Sequence, residues 1–233
     1  MNTTRRSGFT IIELMVVVAV IAIVAAISVP NMLAARISAN ESAAVANLRT
    51  ITSAQSQYQA AASADVDVDG TGEYGTLAEM GGTRGVRTAA DGTAGTPIST
   101  AVLAQAFGRL NVNGEASRSG YLYRVFLPAQ GGIATTEATE GGDFSAAVDV
   151  DATETIWCLY AWPRNRAQTG IRTFFVNQRG DLTCADSGYS GTAAIAPANA
   201  GAAFVAPNPL DSILGDAAIT DYGADGALWV MAR

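Results

Sequence analysis

Apolar residues are unevenly spread along this chain. From Phe9 to Val29 only Thr10, Glu13 and Ser28 are polar. At about 1.5 Å per helical residue, that run matches the hydrocarbon core of a bilayer. Beyond Asn31 the pattern changes. Leu33, Ile37, Ala44, Leu48, Ile51 and Tyr58 fall on one stripe of a helix, with Glu, Arg and Gln interspersed. Abundant alanine supports helix to about residue 62. The sequence Asp-Val-Asp-Val-Asp-Gly at residues 65–70 then breaks it. Pro30 separates the two halves. It lacks a backbone donor and predicts a kink or local opening. Together the halves would form a helix about 80 Å long, its second half packed on a head.

The rest reads as shorter elements. Residues 63–97 are rich in Gly, Asp and Thr and predict loop. Residues 98–110 suggest a short amphipathic helix capped by Ser99 or Thr100. Strands are expected at Tyr121–Leu127, Ile156–Trp162, Ile171–Asn177 and Asp181–Cys184. Gln178, Arg179 and Gly180 form the last tight turn. Four antiparallel strands packed on the long helix give an α+β fold. Residues 128–155 and 185–210 are low in complexity and predict exposed loops. The last segment, with Ile213, Leu214, Tyr222, Leu228 and Trp229, is expected to dock on the head.

Composition narrows the chemistry. The 14 basic residues are all arginine, against 21 acidic ones, for a net charge of −7. The absence of histidine removes Ser-His-Asp and Cys-His units and His-ligated zinc. The absence of lysine removes a P-loop and Schiff-base chemistry. No catalytic role is expected. An acidic chain without basic runs is also a poor fit to nucleic acid.

Three motifs need weighing. Gly70, Gly72 and Gly75 spell G-x-G-x-x-G, but no strand precedes them, and Asp65, Asp67 and Asp69 would repel a phosphate. The same stretch resembles the first half of a calcium loop, with carboxylates at alternate positions and Gly70 at the turn. Thr76 stands where that loop closes on a glutamate, so Glu73 or Glu79 would have to substitute. Calcium held by Asp65, Asp67, Asp69 and Glu73 is one reading, and a solvated acidic turn is the other. Cys158 and Cys184 could form a disulfide in an exported head. In a simple meander they flank a common strand, about 9–10 Å apart, too far for a bridge. A bridge requires a different strand order, or Cys184 beyond its strand end.

The N-terminus is the most informative region. Arg5 and Arg6 precede the apolar run and place the N-terminus in the cytoplasm. The run is too long for a signal peptide, and Pro30-Asn31 follows it rather than a small-residue cleavage site. A plain single-pass anchor fits, yet leaves Glu13 unexplained. A carboxylate in an apolar span costs on the order of 3 kcal/mol. The thirteen Phe, Ile, Leu and Val residues around it outweigh that cost. A cut after Gly8 would make Phe9 a charged amine, with Glu13 four residues on and on the same helix face. Glu13 could then pair with its own amine and helix dipole, or with the amine of a neighbouring copy. The second pairing would set the axial register between copies, because an unpaired buried charge is strongly penalised.

Arg5, Arg6, Gly8, Phe9 and Glu13, followed by the apolar helix and Pro30, resemble the N-terminus of type IV pilins and of type II secretion pseudopilins. The resemblance is strong over residues 1–60. Residues 120–128 and 172–182 also look like the sheet of pseudopilin heads. It implies a leader at 1–8, a long helix at 9–62 with residues 9–29 in the membrane, and a head at 63–233. It implies that a prepilin peptidase cuts between Gly8 and Phe9 and methylates the new amine. A cytoplasmic ATPase and an inner-membrane platform protein would then move the subunit from the membrane into a filament of copies, on the cell surface or in the periplasm. The alternative is a single-pass protein whose extracytoplasmic head binds a ligand and never polymerises.

Overall fold

The computed structural model describes residues 8–137 and 144–232. Arg5 and Arg6 of the expected leader, and part of the expected loop at 128–155, lie outside them. Helix α1 (Ile11–Ala60) runs unbroken through Pro30, so no local opening occurs there. Its first half is exposed throughout. Burial begins at Glu41 and continues through Ala44, Leu48, Ile51 and Tyr58. Leu33 at the start of the predicted stripe stays exposed, because the head does not reach it.

The head contains α2 (Leu77–Met80), α3 (Gln105–Gly108), β1 (Ala116–Arg118), β2 (Tyr121–Pro128), β3 (Ala134–Thr135) and α4 (Val150–Thr153). They are followed by β4 (Cys158–Pro163), β5 (Thr173–Asn177), β6 (Thr183–Ala185), β7 (Asp221–Tyr222) and β8 (Leu228–Met231). The sheet is antiparallel, in the order β1-β2-β4-β5-β6-β8-β7, with β3 paired to β2. The expected meander is therefore its centre, β2-β4-β5-β6, and the sheet has eight strands rather than about four.

Both faces of the sheet are covered. On one side α1 packs Leu48, Ile51 and Tyr58 against Tyr121, Tyr123, Leu159 and Phe174. On the other, Leu122, Phe126, Tyr160, Phe175 and Trp229 pack under Ile195, Ala202, Phe204 and Ile213. Strands buried on both faces read as continuous apolar runs rather than as alternation, as in the fully buried β2, β4 and β5.

Three expectations change. Residues 185–210 are not an exposed loop but part of that second layer. Alanines and glycines allow the close approach, and a Cβ on Gly201 would collide with the Pro209 carbonyl. Within 128–155, Ala134, Thr135, Glu137 and Val148 are buried. The helix expected at 98–110 shrinks to α3, without a side-chain cap. Ahead of it the chain docks instead, with the Val102 and Leu103 N–H groups donating to the Met80 carbonyl at 3.1 Å each.

Candidate assembly site

The first turn of α1 is built around Glu13. Thr10 is the N-cap, and its hydroxyl accepts the Glu13 N–H at 3.2 Å. In return, the Thr10 N–H and hydroxyl both donate to Glu13 Oε2 at 2.8 Å. This capping box satisfies helix-end donors that would otherwise be orphaned. The Thr-x-x-Glu spacing was readable in the sequence. Glu13 Oε1 has no hydrogen-bond partner among the described residues. A cut after Gly8 would leave the box intact, because both donors belong to Thr10. Gly8 lies in exposed, non-helical chain just ahead.

Around Glu13 the surface is apolar and uncovered. Phe9 is 83% exposed, and Ile11, Ile12, Leu14, Met15 and Val18 are similarly bare. The run from Ile11 past Pro30 is long and apolar enough to cross a membrane, and none of its apolar window is buried in the protein. Exposed apolar area on this scale needs lipid or another protein surface. Pro30 has no N–H to donate to the Ala26 carbonyl within this stretch, and the helix continues past it.

The head holds the other candidates. The carboxylates of Asp65, Asp67 and Asp69 gather within 4.8 Å of one another. Backbone groups of their own loop already engage them, since Asp65 accepts from the Asp69 and Gly70 N–H groups at 3.2 Å each. Glu73 does not join them. It is fully buried, accepts the Val66 N–H at 2.7 Å and lies 3.3 Å from the Arg87 guanidinium. Burial raises its carboxyl above the usual range. Glu79, the other proposed closing residue, is also turned inward, 2.7 Å from Arg87.

These groups form a buried ionic cluster that the sequence did not reveal. Arg87 is flanked by Glu73 and Glu79, and Arg84 pairs with Glu137 at 3.3 Å. Phe144 covers both guanidiniums, 5.5 and 6.0 Å from its ring centroid. The glycines of the G-x-G-x-x-G match serve packing here. A Cβ on Gly72 would collide with the Gln59 carbonyl, and one on Gly75 would lie 2.8 Å from the Tyr58 ring. They let the loop close over the end of α1.

Cys158 and Cys184 are both buried and free. Cys158 sits in the core beneath the second layer and Cys184 in the core beneath α1. Their side chains leave the sheet on opposite faces, so the possible disulfide does not form.

Residues 3–29 match the family described as Prokaryotic N-terminal methylation motif. Residues 25–200 match the family described as Protein of unknown function (DUF2950). Two curated relatives align to the N-terminal part. The type IV wide pilus major component PilA4 of Thermus thermophilus is 50% identical over 51 residues, 22% of this chain and 39% of that protein. The type IV major pilin protein PilA of Myxococcus xanthus is 44% identical over 54 residues, 23% of this chain and 24% of that protein. The alignments thus span well under half the length of these relatives. No solved structure matches the chain.

Proposed function

Because the chain belongs to the DUF2950 family and opens with the N-terminal methylation segment of type IV pilins, we propose that it is a structural filament subunit. A prepilin peptidase removes the leader after Gly8 and methylates Phe9. Before assembly the apolar half of α1 holds the subunit in the inner membrane, with the head outside the cytoplasm. A platform protein then passes it into a polymer of copies. The names of both relatives favour a pilus over a secretion pseudopilus.

One observation carries this reading. Some twenty exposed apolar residues surround a single carboxylate, and one oxygen of that carboxylate is unengaged among the described residues. Lipid satisfies the apolar surface but not the charge. The helix of a neighbouring copy satisfies both, its apolar face covering the surface and its Phe9 amine the charge. The pairing then favours one axial register, since any other leaves charges unpaired in an apolar core.

Mass spectrometry of the N-terminal peptide from the native protein tests this reading. A methylated Phe9 is expected, and retained Met1 overturns it. Glu13→Ala should be inserted and cut but form few filaments, and a normal filament yield from that variant refutes the pairing.

A further inference from the structure

Arginines gather at the end of the head from which the bare half of α1 projects. Asn40 marks that level. Its side-chain amide donates to the Thr169 carbonyl at 2.9 Å, and a Cβ on Gly120 would lie 2.9 Å from it. Arg164, just after β4, donates its N–H to the Gly120 carbonyl at 2.9 Å. Arg118 ends β1 and pairs with Tyr121 beside the same glycine. Arg36 lies one helical turn before Asn40 on the same face of α1. Its side chain leans toward the apolar half, as helical side chains tilt toward the N-terminus.

The charge of this rim is not cancelled. Arg166 pairs with Asp186, and Arg172 with Glu41 at 2.7 Å. Arg36 and Arg164 are exposed and make no ion pair among the described residues. Arg118 also lacks an acidic partner there, though its guanidinium is held over the Phe107 ring, 4.9 Å from the centroid. The acids lie elsewhere. Asp65, Asp67 and Asp69 follow the far end of α1, Asp151 and Glu154 precede β4, and Asp181 sits in the turn between β5 and β6, all at the opposite end of the sheet. Asp221 and Asp225 belong to the far edge, in β7 and the turn after it. A chain of net charge −7 thus keeps a positive rim around the exit of α1.

We infer that Arg36 and Arg164 bind the phosphates of anionic phospholipids in the membrane that α1 spans, docking the head on the bilayer before assembly. This rests on the membrane-held subunit proposed above. In that state the rim faces the bilayer. Arg36 stands about 10 Å past the end of the apolar run at Val29, and the headgroup layer is about 5–8 Å deep. Its long side chain spans the difference. A tilt of about 20°, ordinary for a spanning helix, lowers the Arg164 side of the head toward the same layer. Ile171, 39% exposed on the same loop, adds an apolar contact. Each arginine near an anionic surface favours the docked head by about fivefold, and the effect fades within a Debye length.

Energy transfer in vesicles tests it. The full-length Ser119→Cys chain carries a donor dye, and a trace of lipid carries the acceptor. Ser119 is exposed between Arg118 and Gly120, while Cys158 and Cys184 are buried and take little label. Transfer should rise at least about twofold from pure phosphatidylcholine to equal parts of phosphatidylcholine and phosphatidylglycerol, and molar salt should abolish the rise. Arg36→Gln combined with Arg164→Gln should abolish it too, with the melting temperature unchanged because both side chains are exposed. Arg49→Gln, at an exposed position about 20 Å further along α1, should preserve it. Equal transfer in the two vesicles, or a rise that survives the double variant, overturns the inference and leaves the membrane reading standing. A rise that follows the density of chains rather than lipid charge also overturns it and assigns the rim to the acidic end of a second copy. A chain that alkaline carbonate strips from both vesicles overturns the membrane reading as well.

Discussion

Glu41 of α1 and Arg172 at the start of β5 form the tie that fixes the long helix to the head. The Glu41 carboxylate accepts the Ile171 and Arg172 N–H groups at 3.0 and 3.2 Å and the Arg172 side chain at 2.8 Å. Arg172 in turn lies over the Phe174 ring, 5.3 Å from its centroid. The tie sits at the first buried residue of α1, where the helix leaves its exposed half.

Glu41→Ala should therefore destabilise the head by about 2 kcal/mol, because it orphans two backbone donors that the carboxylate shields. Arg172→Ala should cost less, about 1 kcal/mol or below, since that side chain is half-exposed and the backbone bonds survive. Urea unfolding of the full chain in detergent, followed by tryptophan fluorescence, would rank the two. The reverse order would place the strength in the ion pair instead.

The buried cluster predicts a pH dependence. Three carboxylates, Glu73, Glu79 and Glu137, face two guanidiniums, Arg84 and Arg87. Burial first, and then the Glu79 charge, push the Glu137 carboxyl up from 4.5 to about 7. The folded state thus holds a proton that the unfolded chain releases near pH 4.5. Stability from this group is full below about pH 4.5 and falls as the pH rises through about 7, by up to about 3 kcal/mol. Glu137→Gln, which stays neutral, should flatten the melting temperature between pH 5 and 8. An unchanged slope in that variant would locate the titration elsewhere.

The elements easiest to read were those with a single strong physical signal. A membrane-length apolar run and an alanine-rich stripe gave α1. Residues such as Leu122 to Leu127 and Leu159 to Trp162 gave strands, because burial on both faces makes nearly every position apolar. Small side chains hid the second layer. Ala200, Ala202 and Ala203 are fully buried, yet their composition resembles that of a solvated loop. In β8 the run Leu228-Trp229-Val230-Met231 conceals its alternation, since the outward positions are apolar too. Arg87 and Glu73 lie in a Gly-Asp-rich stretch that suggests surface charge, and only the fold brings them together. The Thr10–Glu13 cap is legible as Thr-x-x-Glu, but the apolar run around Glu13 points first to an amine partner and masks it.

Gly75 offers a check on the glycine motif. A Cβ there would lie 2.8 Å from the buried Tyr58 ring. Gly75→Ala should then cost about 1–3 kcal/mol by overpacking. Adding a dinucleotide should leave the melting temperature of the unmodified chain where it was. A neutral Gly75→Ala together with stabilisation by a dinucleotide would restore the phosphate-binding reading.

The two cysteines make the sharpest prediction about the head. Both lie on strands that pair with β5, Cys158 opposite Asn177 and Cys184 opposite Phe174. Two strand spacings, about 9–10 Å, separate such strands, and the side chains point to opposite faces. Burial raises both thiols, and for Cys184 it outweighs the nearby Arg172 guanidinium. A raised thiol is a poor nucleophile at neutral pH. The folded chain, prepared without reductant, should therefore take up almost no maleimide. After denaturation it should take up two labels. Its melting temperature should not respond to dithiothreitol. Uptake of no label by the denatured, unreduced chain would mean that the thiols are bridged and that β5 does not lie between β4 and β6.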